Sequence, residues 1–444
     1  MCNLKMISPL LIAEACNPEW VSIPLEGWSH ARAIQALTGG YLVTQIRNRD
    51  AILRAGLVEG KDFTAIDSEA VAARVYKIAS LLRGGKGKGW TTNTALNSLA
   101  YPYFERLVWK QFEHRIRNGE FNIVHRITPT TPTSPSPLAV RCRRAGVPFV
   151  IGPLNGGVPW PAGFDSARRR EREWLSYVRG AYKLLPGYRS TRRNAAALLI
   201  GSRDTWQQVP ARFHDKCFYV PENAVDPARF TVTRTRRASR PLRVIFVGRL
   251  VPYKGADMLL EAAATLVQSG DLTLEIIGDG PQKNDLLSFI EKNSLSAGVQ
   301  LPGWVPHEQL QTHLASADLF AFPSIREFGG AVVLEAMAVG LVPAVIDYGG
   351  PAELVTDQTG YRIPIGPRPQ IVAAFAKLFS DLAAHPEELD ARSPAARRRA
   401  LTQFTWPAKA ASVLKVYEWL LESKPRPDFP LPLPDLEALQ ASQL

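Results

Sequence analysis

Residues 242–268 read "LRVIFVGRLVPYKGADMLLEAAATLVQ", and this stretch decides the fold. It opens with a run of strand length, Leu242 to Val247, apolar but for Arg243 and rich in β-branched and aromatic side chains. From Ala256 the apolar residues instead recur three and four apart, as on one face of a helix. A continuous apolar strand joined to a crossover helix is the mark of a parallel strand covered on both faces. The same grammar repeats downstream: "LTLEIIGDG" precedes "PQKNDLLSFIEK", "VQLPGWV" precedes "HEQLQTHLAS", "DLFAFPS" precedes "GGAVVLEAMAVG", and "PAVIDY" precedes "GGPAELV". The second half of the chain therefore reads as a doubly wound α/β domain.

The first half follows this grammar less cleanly, with "PLLIAEA", "YLVTQI", "DFTAI", "FNIVHRI", "VPFVIGPL" and "AALLIGS" as its strands, and reads as a second Rossmann-like domain. "YVPENAVDPARF" and the basic "TVTRTRRASR" place the junction near 221–241. The expected organisation is 1–222, 223–405, a helix over 406–423, and a tail over 424–444 whose "KPRPDFPLPLPD" reads as extended or disordered.

At 444 residues the chain is long for one core, in keeping with two domains. Its 46% hydrophobic and 21% charged residues fit a globular protein, and no apolar run reaches the length of a membrane span. The start meets acidic Glu14 before any long apolar core, so the expected location is cytoplasmic, or peripheral at the inner face of a membrane. Cys2, Cys16, Cys142 and Cys217 have neither zinc-site spacing nor disulfide density and read as reduced. Charge is uneven: residues 1–225 hold 31 Lys+Arg against 17 Asp+Glu, and the remainder 22 against 24. The basic first half suits an anionic partner or a solvated face.

Ligands of a doubly wound sheet collect beyond the carboxyl ends of its strands. After the first strand of the second half, "GRLVPYKG" supplies Gly248 for close approach and the cations Arg249 and Lys254, which suit a diphosphate. "GDGP" adds a tight turn at Gly280, and Val305 follows Gly303 and a Trp304 expected in the core. "REFGGAVVLE" sets Glu327 in a loop, opens the next helix with Gly329 and Gly330, and places Glu335 within that helix. Unobstructed amides suit a phosphate or sugar hydroxyl, whereas an ionised carboxylate is acceptor-only and suits hydroxyl donors. A nucleotide sugar carries both, with phosphates in its middle and hydroxyls at its ends. Taken singly, the two acids read rather as an exposed loop acid and an ordinary helix residue; the basic loop beside them changes the balance.

Together, "GRLVPYKG" and "EFGGAVVLE" resemble the donor domain of the retaining glycosyltransferases of family 4, which have the two-domain GT-B fold. "PENAVDPARF" is similar to that family's interdomain turn, although "PENA" departs from its Asn-Gly, and "FTWPAKAASVLKVY" to its final helix, which packs back on the N-terminal domain. The resemblance covers about 219–420. It implies that Arg249 and Lys254 hold the donor diphosphate, that Glu335 binds ribose hydroxyls, and that Glu327 accepts from the transferred sugar. Phe328, Gly329 and Gly330 would contribute amides, and attack would come on the leaving-group face.

On the acceptor side, the resemblance puts Gly27 and Trp28 in a loop that approaches the diphosphate, and His125 at the end of a strand, orienting acceptor or sugar. Trp28 and His125 read equally well as packing residues. "TPTTPTSPSP" at 128–137 is a stiff loop suited to an acceptor entrance, and Asn155, Gly156 and Gly157 offer further exposed backbone. "GGKGKGW" at 84–90 is not a P-loop, because Trp90 stands where the lysine belongs. Residues 168–193 mix cations with aromatics, as suits contact with an anionic membrane or a packed helix under a basic face. No nucleic-acid module appears.

The expected activity is transfer of a hexose from a nucleotide diphosphate sugar to a hydroxyl of a glycan or lipid-linked acceptor, in cell-surface polysaccharide or glycolipid synthesis. No Asp-x-Asp motif occurs, and neither a metal nor another cofactor is expected. Alternatives are a nucleotide-sugar epimerase or hydrolase, and a membrane-associated scaffold with a vestigial sugar site.

Overall fold

The computed structural model describes residues 7–69, 90–165, 168, 181–184, 186–235, 238–422 and 424–435. It separates into two compact units. The first comprises Met1–Gly157, Glu171–Glu222 and Trp406–Phe429; the second comprises Val158–Arg170, Asn223–Thr405 and Pro430–Leu444. The main crossing falls at Glu222/Asn223, but a piece of the first half, Val158–Arg170, belongs to the second unit.

In the first unit the strands are β1 (Pro9–Ala13), β2 (Tyr41–Gln45), β3 (Phe63–Ile66), β4 (Ile123–Thr128), β5 (Phe149–Leu154), β6 (Ala197–Ile200) and β7 (Cys217–Tyr219). They form a parallel sheet in the order β3-β2-β1-β4-β5-β6-β7. The helix Trp406–Glu422 covers one face, burying Val413, Val416 and Tyr417 against β1, β4 and the helix Ile23–Thr38. Beyond it residues 424–429 are extended and docked. Arg426 donates to the carbonyls of Asp215 and Cys217, and Phe429 packs on Phe218.

The second unit contains β8 (Leu242–Val247), β9 (Leu272–Ile277), β10 (Val299–Gly303), β11 (Leu319–Phe322), β12 (Val342–Ile346) and β13 (Tyr361–Ile363). Its parallel sheet runs β10-β9-β8-β11-β12-β13. The helix Ala256–Gln268 buries Ala256, Leu259, Leu260, Ala263 and Val267, the stripe its spacing predicts. Phe246, Phe320 and Phe322 are fully buried and stacked, at 6.1 and 5.6 Å between neighbouring rings. Burial of each such side chain stabilises by about 2 kcal/mol. This cluster makes a rigid floor under the loops that follow β8 and β11. The order of strands reverses between those two, and such a switch point is where ligands of doubly wound sheets bind.

Among the described residues no helix is long and apolar enough to cross a membrane. Of the basic segment 168–193, residues 169–180 and 185 lie outside them, as does the glycine-rich stretch up to residue 89.

Candidate functional site

Both arms of the β8/β11 switch point carry charge. The loop after β8 turns through Pro252–Lys254 into the helix Ala256–Gln268, while the loop after β11 runs through Arg326 to Gly330 and opens the helix Ala331–Ala338. Across the gap, Lys254 Nζ donates to the Glu327 carboxylate. The pair is well shielded, with side chains 14% and 21% exposed, and the ammonium lies 5.0 Å from the centre of the Phe322 ring. Arg249 is exposed, and among the described residues its guanidinium has no partner.

Past Glu327, Gly330 caps the helix Ala331–Ala338 with a left-handed φ of 66°. Among the described residues the amides of Phe328, Gly329 and Gly330 have no hydrogen-bond acceptor. They are loop and N-cap amides leading into a helix start, donors available to an anion or a hydroxyl. Glu335 lies within this helix and meets His307 Nε2 at 3.0 Å. The other ring nitrogen of His307 faces Arg229 at 3.4 Å, and the ring packs edge-on against Phe230.

The conformation of the Glu327 loop is imposed by the next turn. Gly350 donates to the Glu327 carbonyl at 3.1 Å, and a Cβ at Gly350 would lie 1.6 Å from the Phe328 carbonyl oxygen. Only glycine allows that approach. The segment Val158–Arg170 braces the same loops: Arg326 donates to the Val158 carbonyl and Tyr348 to that of Pro159. Trp160 packs edge-on against Tyr253.

At two other glycines of these loops the amides are already committed. The Gly248 amide bonds the Ile277 carbonyl at 3.0 Å, and that of Gly280 bonds the Asp279 carboxylate at 2.8 Å. These two glycines thus shape the ends of β8 and β9 without offering amides. Val305 is half-buried against the core, whereas Trp304, expected inside, is 73% exposed.

The first unit corrects the expected acceptor residues. His125 is fully buried, with Nδ1 2.6 Å from the Tyr417 hydroxyl and Nε2 2.8 Å from the Gly152 carbonyl. A carbonyl only accepts, so Nε2 carries the proton and Nδ1 accepts from Tyr417. Burial pushes its pKa down to about 4, partly offset by the bond to Gly152, with the nearby Lys409 ammonium lowering it further. Neutral, enclosed and fully engaged, it cannot orient a ligand. Gly27 and Trp28 lie in the helix Ile23–Thr38 rather than in a loop. A Cβ at Gly27 would come within 2.2 Å of the Ala15 carbonyl, so this glycine serves helix–strand packing; Trp28 packs beside Arg32. The Gly156 amide bonds Thr205 and that of Gly157 bonds Asn155, so neither is offered to a ligand.

The loop 128–137 is held from beneath by two buried arginines. Arg126 donates to the Ser134 carbonyl and Arg192 to that of Pro132. The described residues contain no cluster of side chains suited to a metal ion.

Two Rossmann-like parallel sheets of this kind define the GT-B fold. A glycosyltransferase from Rickettsia africae ESF-5 has a TM-score of 0.60 over 95% of this chain and 100% of its own, at 14% identity. The Anabaena protein Alr3699/HepE, solved in complex with UDP, has a TM-score of 0.56 over 94% and 100%, also at 14% identity. Sequence adds relationship to fold: residues 231–399 match the family described as glycosyl transferases group 1. The glycogen synthase of Mycobacterium tuberculosis is 30% identical over 216 residues, 48% of this chain and 51% of its own. The chain is therefore related to GT-B glycosyltransferases, and it spans about half the length of the curated relatives it matches.

Proposed function

We propose that the protein is a retaining glycosyltransferase of the family 4 type, which transfers a hexose from a nucleotide diphosphate sugar to a hydroxyl of a glycan or lipid-linked acceptor. The observation that carries this reading is the Lys254–Glu327 pair at the β8/β11 switch point, set beside unclaimed amides and the free Arg249. Cations and amides suit the diphosphate, and carboxylates suit the hydroxyls on either side of it.

In this reading Arg249, Lys254 and the amides of Phe328 to Gly330 stabilise the charge that grows on the departing diphosphate. They do so without a metal ion, so chelators leave turnover intact. Glu327 orients the transferred sugar, and Glu335 shares ribose hydroxyls with its neighbour His307. The acceptor proton passes to the diphosphate on the face from which it leaves. For the acceptor, the braced loop 128–137 replaces His125, Gly27 and Trp28 as the candidate. Synthesis of a cell-surface glycan or glycolipid, on a cytoplasmic protein touching the membrane through 168–193, completes the proposal.

A thermal-shift panel of nucleotide sugars, followed by mass spectrometry of glycans from a deletion strain, tests it. At least one nucleotide sugar should raise Tm and one glycan should be lost. Absence of any nucleotide-sugar binding overturns the reading.

A further inference from the structure

The ammonium of Lys254 is directed at Glu327. The rings of Phe322 and Tyr253, 5.0 and 6.0 Å from the nitrogen, narrow its alternatives. A diphosphate that recruits Lys254 therefore has to take it from Glu327 and leave that carboxylate to find other donors. The carboxylate has none of its own to offer, since it only accepts.

Two kinds of diphosphate meet this requirement differently. A nucleotide sugar carries hydroxyl donors beyond its second phosphate, which replace the lost ammonium at Glu327. A bare nucleoside diphosphate ends in a terminal phosphate with further negative charge and only acceptor oxygens. It would strip the carboxylate of its partner and then lie against it, at a shielded position where like charges repel strongly.

Resting on the proposed activity, we infer that Glu327 is a specificity-determining residue that discriminates against the bare nucleoside diphosphate product in favour of the sugar-bearing donor, with Lys254 as the cation exchanged between carboxylate and phosphate. Product is expelled because losing the sugar restores the Lys254–Glu327 pair. Removing the charge at Glu327 converts the site into one that holds product.

Titration calorimetry with a panel of nucleoside diphosphates and their sugar esters tests this on the full chain. Glu327→Gln should bind the cognate nucleoside diphosphate about tenfold more tightly than the wild type and bind its sugar ester no more tightly. In a Lys254→Met background most of that gain should vanish, because there is no ammonium to release. Circular dichroism and Tm of each variant establish that it is folded. Unchanged or weaker nucleoside diphosphate binding in folded Glu327→Gln overturns the inference, as does a full gain in the Lys254→Met background. Failure of every nucleoside diphosphate and sugar ester to bind the wild type overturns the proposed activity and this inference with it.

Discussion

The two units have the same parallel, doubly wound architecture, yet the loops at their switch points are filled differently. Between β8 and β11 the chain leaves a charged pair, an exposed arginine and three unclaimed amides. Between β1 and β4 the corresponding space is closed by the chain itself: Thr128 Oγ1 bonds both the amide and the carbonyl of Ala15 at 3.0 Å, and the helix carrying Gly27 packs against that carbonyl. Below them His125 is enclosed by Tyr417 and Gly152. A shared fold thus supplies a location, and local polar pairing decides whether it is left open as a candidate binding edge or closed as a packed one. Substitutions at the first edge should alter ligand handling at nearly constant stability, and those at the second should do the reverse.

The largest expected effect tests how the binding edge is built. Gly350→Ala forces its Cβ into the Phe328 carbonyl and should cost about 3 kcal/mol of stability, read from urea unfolding. A near wild-type midpoint would mean the loop yields freely. Glu327→Gln should leave the unfolding midpoint in place and lower turnover by roughly thirtyfold, equivalent to about 2 kcal/mol. Near wild-type turnover would remove Glu327 from the reaction.

At the packed edge the prediction concerns pH. The folded-state pKa of His125 is about 4, below the ordinary 6.5 of an exposed histidine. Its contribution to stability is therefore complete above pH 6.5. It declines toward pH 4, by about 1.4 kcal/mol per pH unit at the steepest, because the unfolded chain binds a proton that the folded chain refuses. His30 is also buried, with its pKa held well below 6.5, and adds in the same direction. His125→Phe should flatten part of that slope; an unaltered slope would assign it elsewhere. Glu335→Ala should raise the donor KM several-fold, about 1 kcal/mol, with little change in kcat. Unchanged donor affinity would contradict the proposed ribose contact. Smallest of all, Trp304→Ala should change stability by less than about 0.5 kcal/mol, since the ring is exposed.

How much of this was legible in the sequence follows from the range of each interaction. The strands of the second unit were readable because a buried parallel strand needs only a local apolar run, and the loops between them then announce the binding edge. Lys254 and Glu327 were readable as members of those loops, but their pairing was not, because it spans 73 residues. His125 stays open between packing and ligand contact in the sequence for the same reason: its enclosing partner, Tyr417, is 292 residues away. Gly27 looked like a loop glycine because nothing local reveals the Ala15 carbonyl behind it. His307 is one polar residue among several at a helix start, and it acquires meaning only from Glu335. Gly350 had a visible signal, a glycine pair directly after a strand, but the reason for it lies in the neighbouring loop.

Val158–Arg170 carries a practical consequence for anyone dividing the chain. A recombinant fragment spanning only 223–405 would arrive without Val158, Pro159 and Trp160, leaving Arg326 and Tyr348 without their carbonyl acceptors and Tyr253 without its aromatic neighbour. Such an excised donor half would be whole by its sequence family and incomplete by its structure. A chimera that exchanges this unit with a relative should carry the short upstream strap with it.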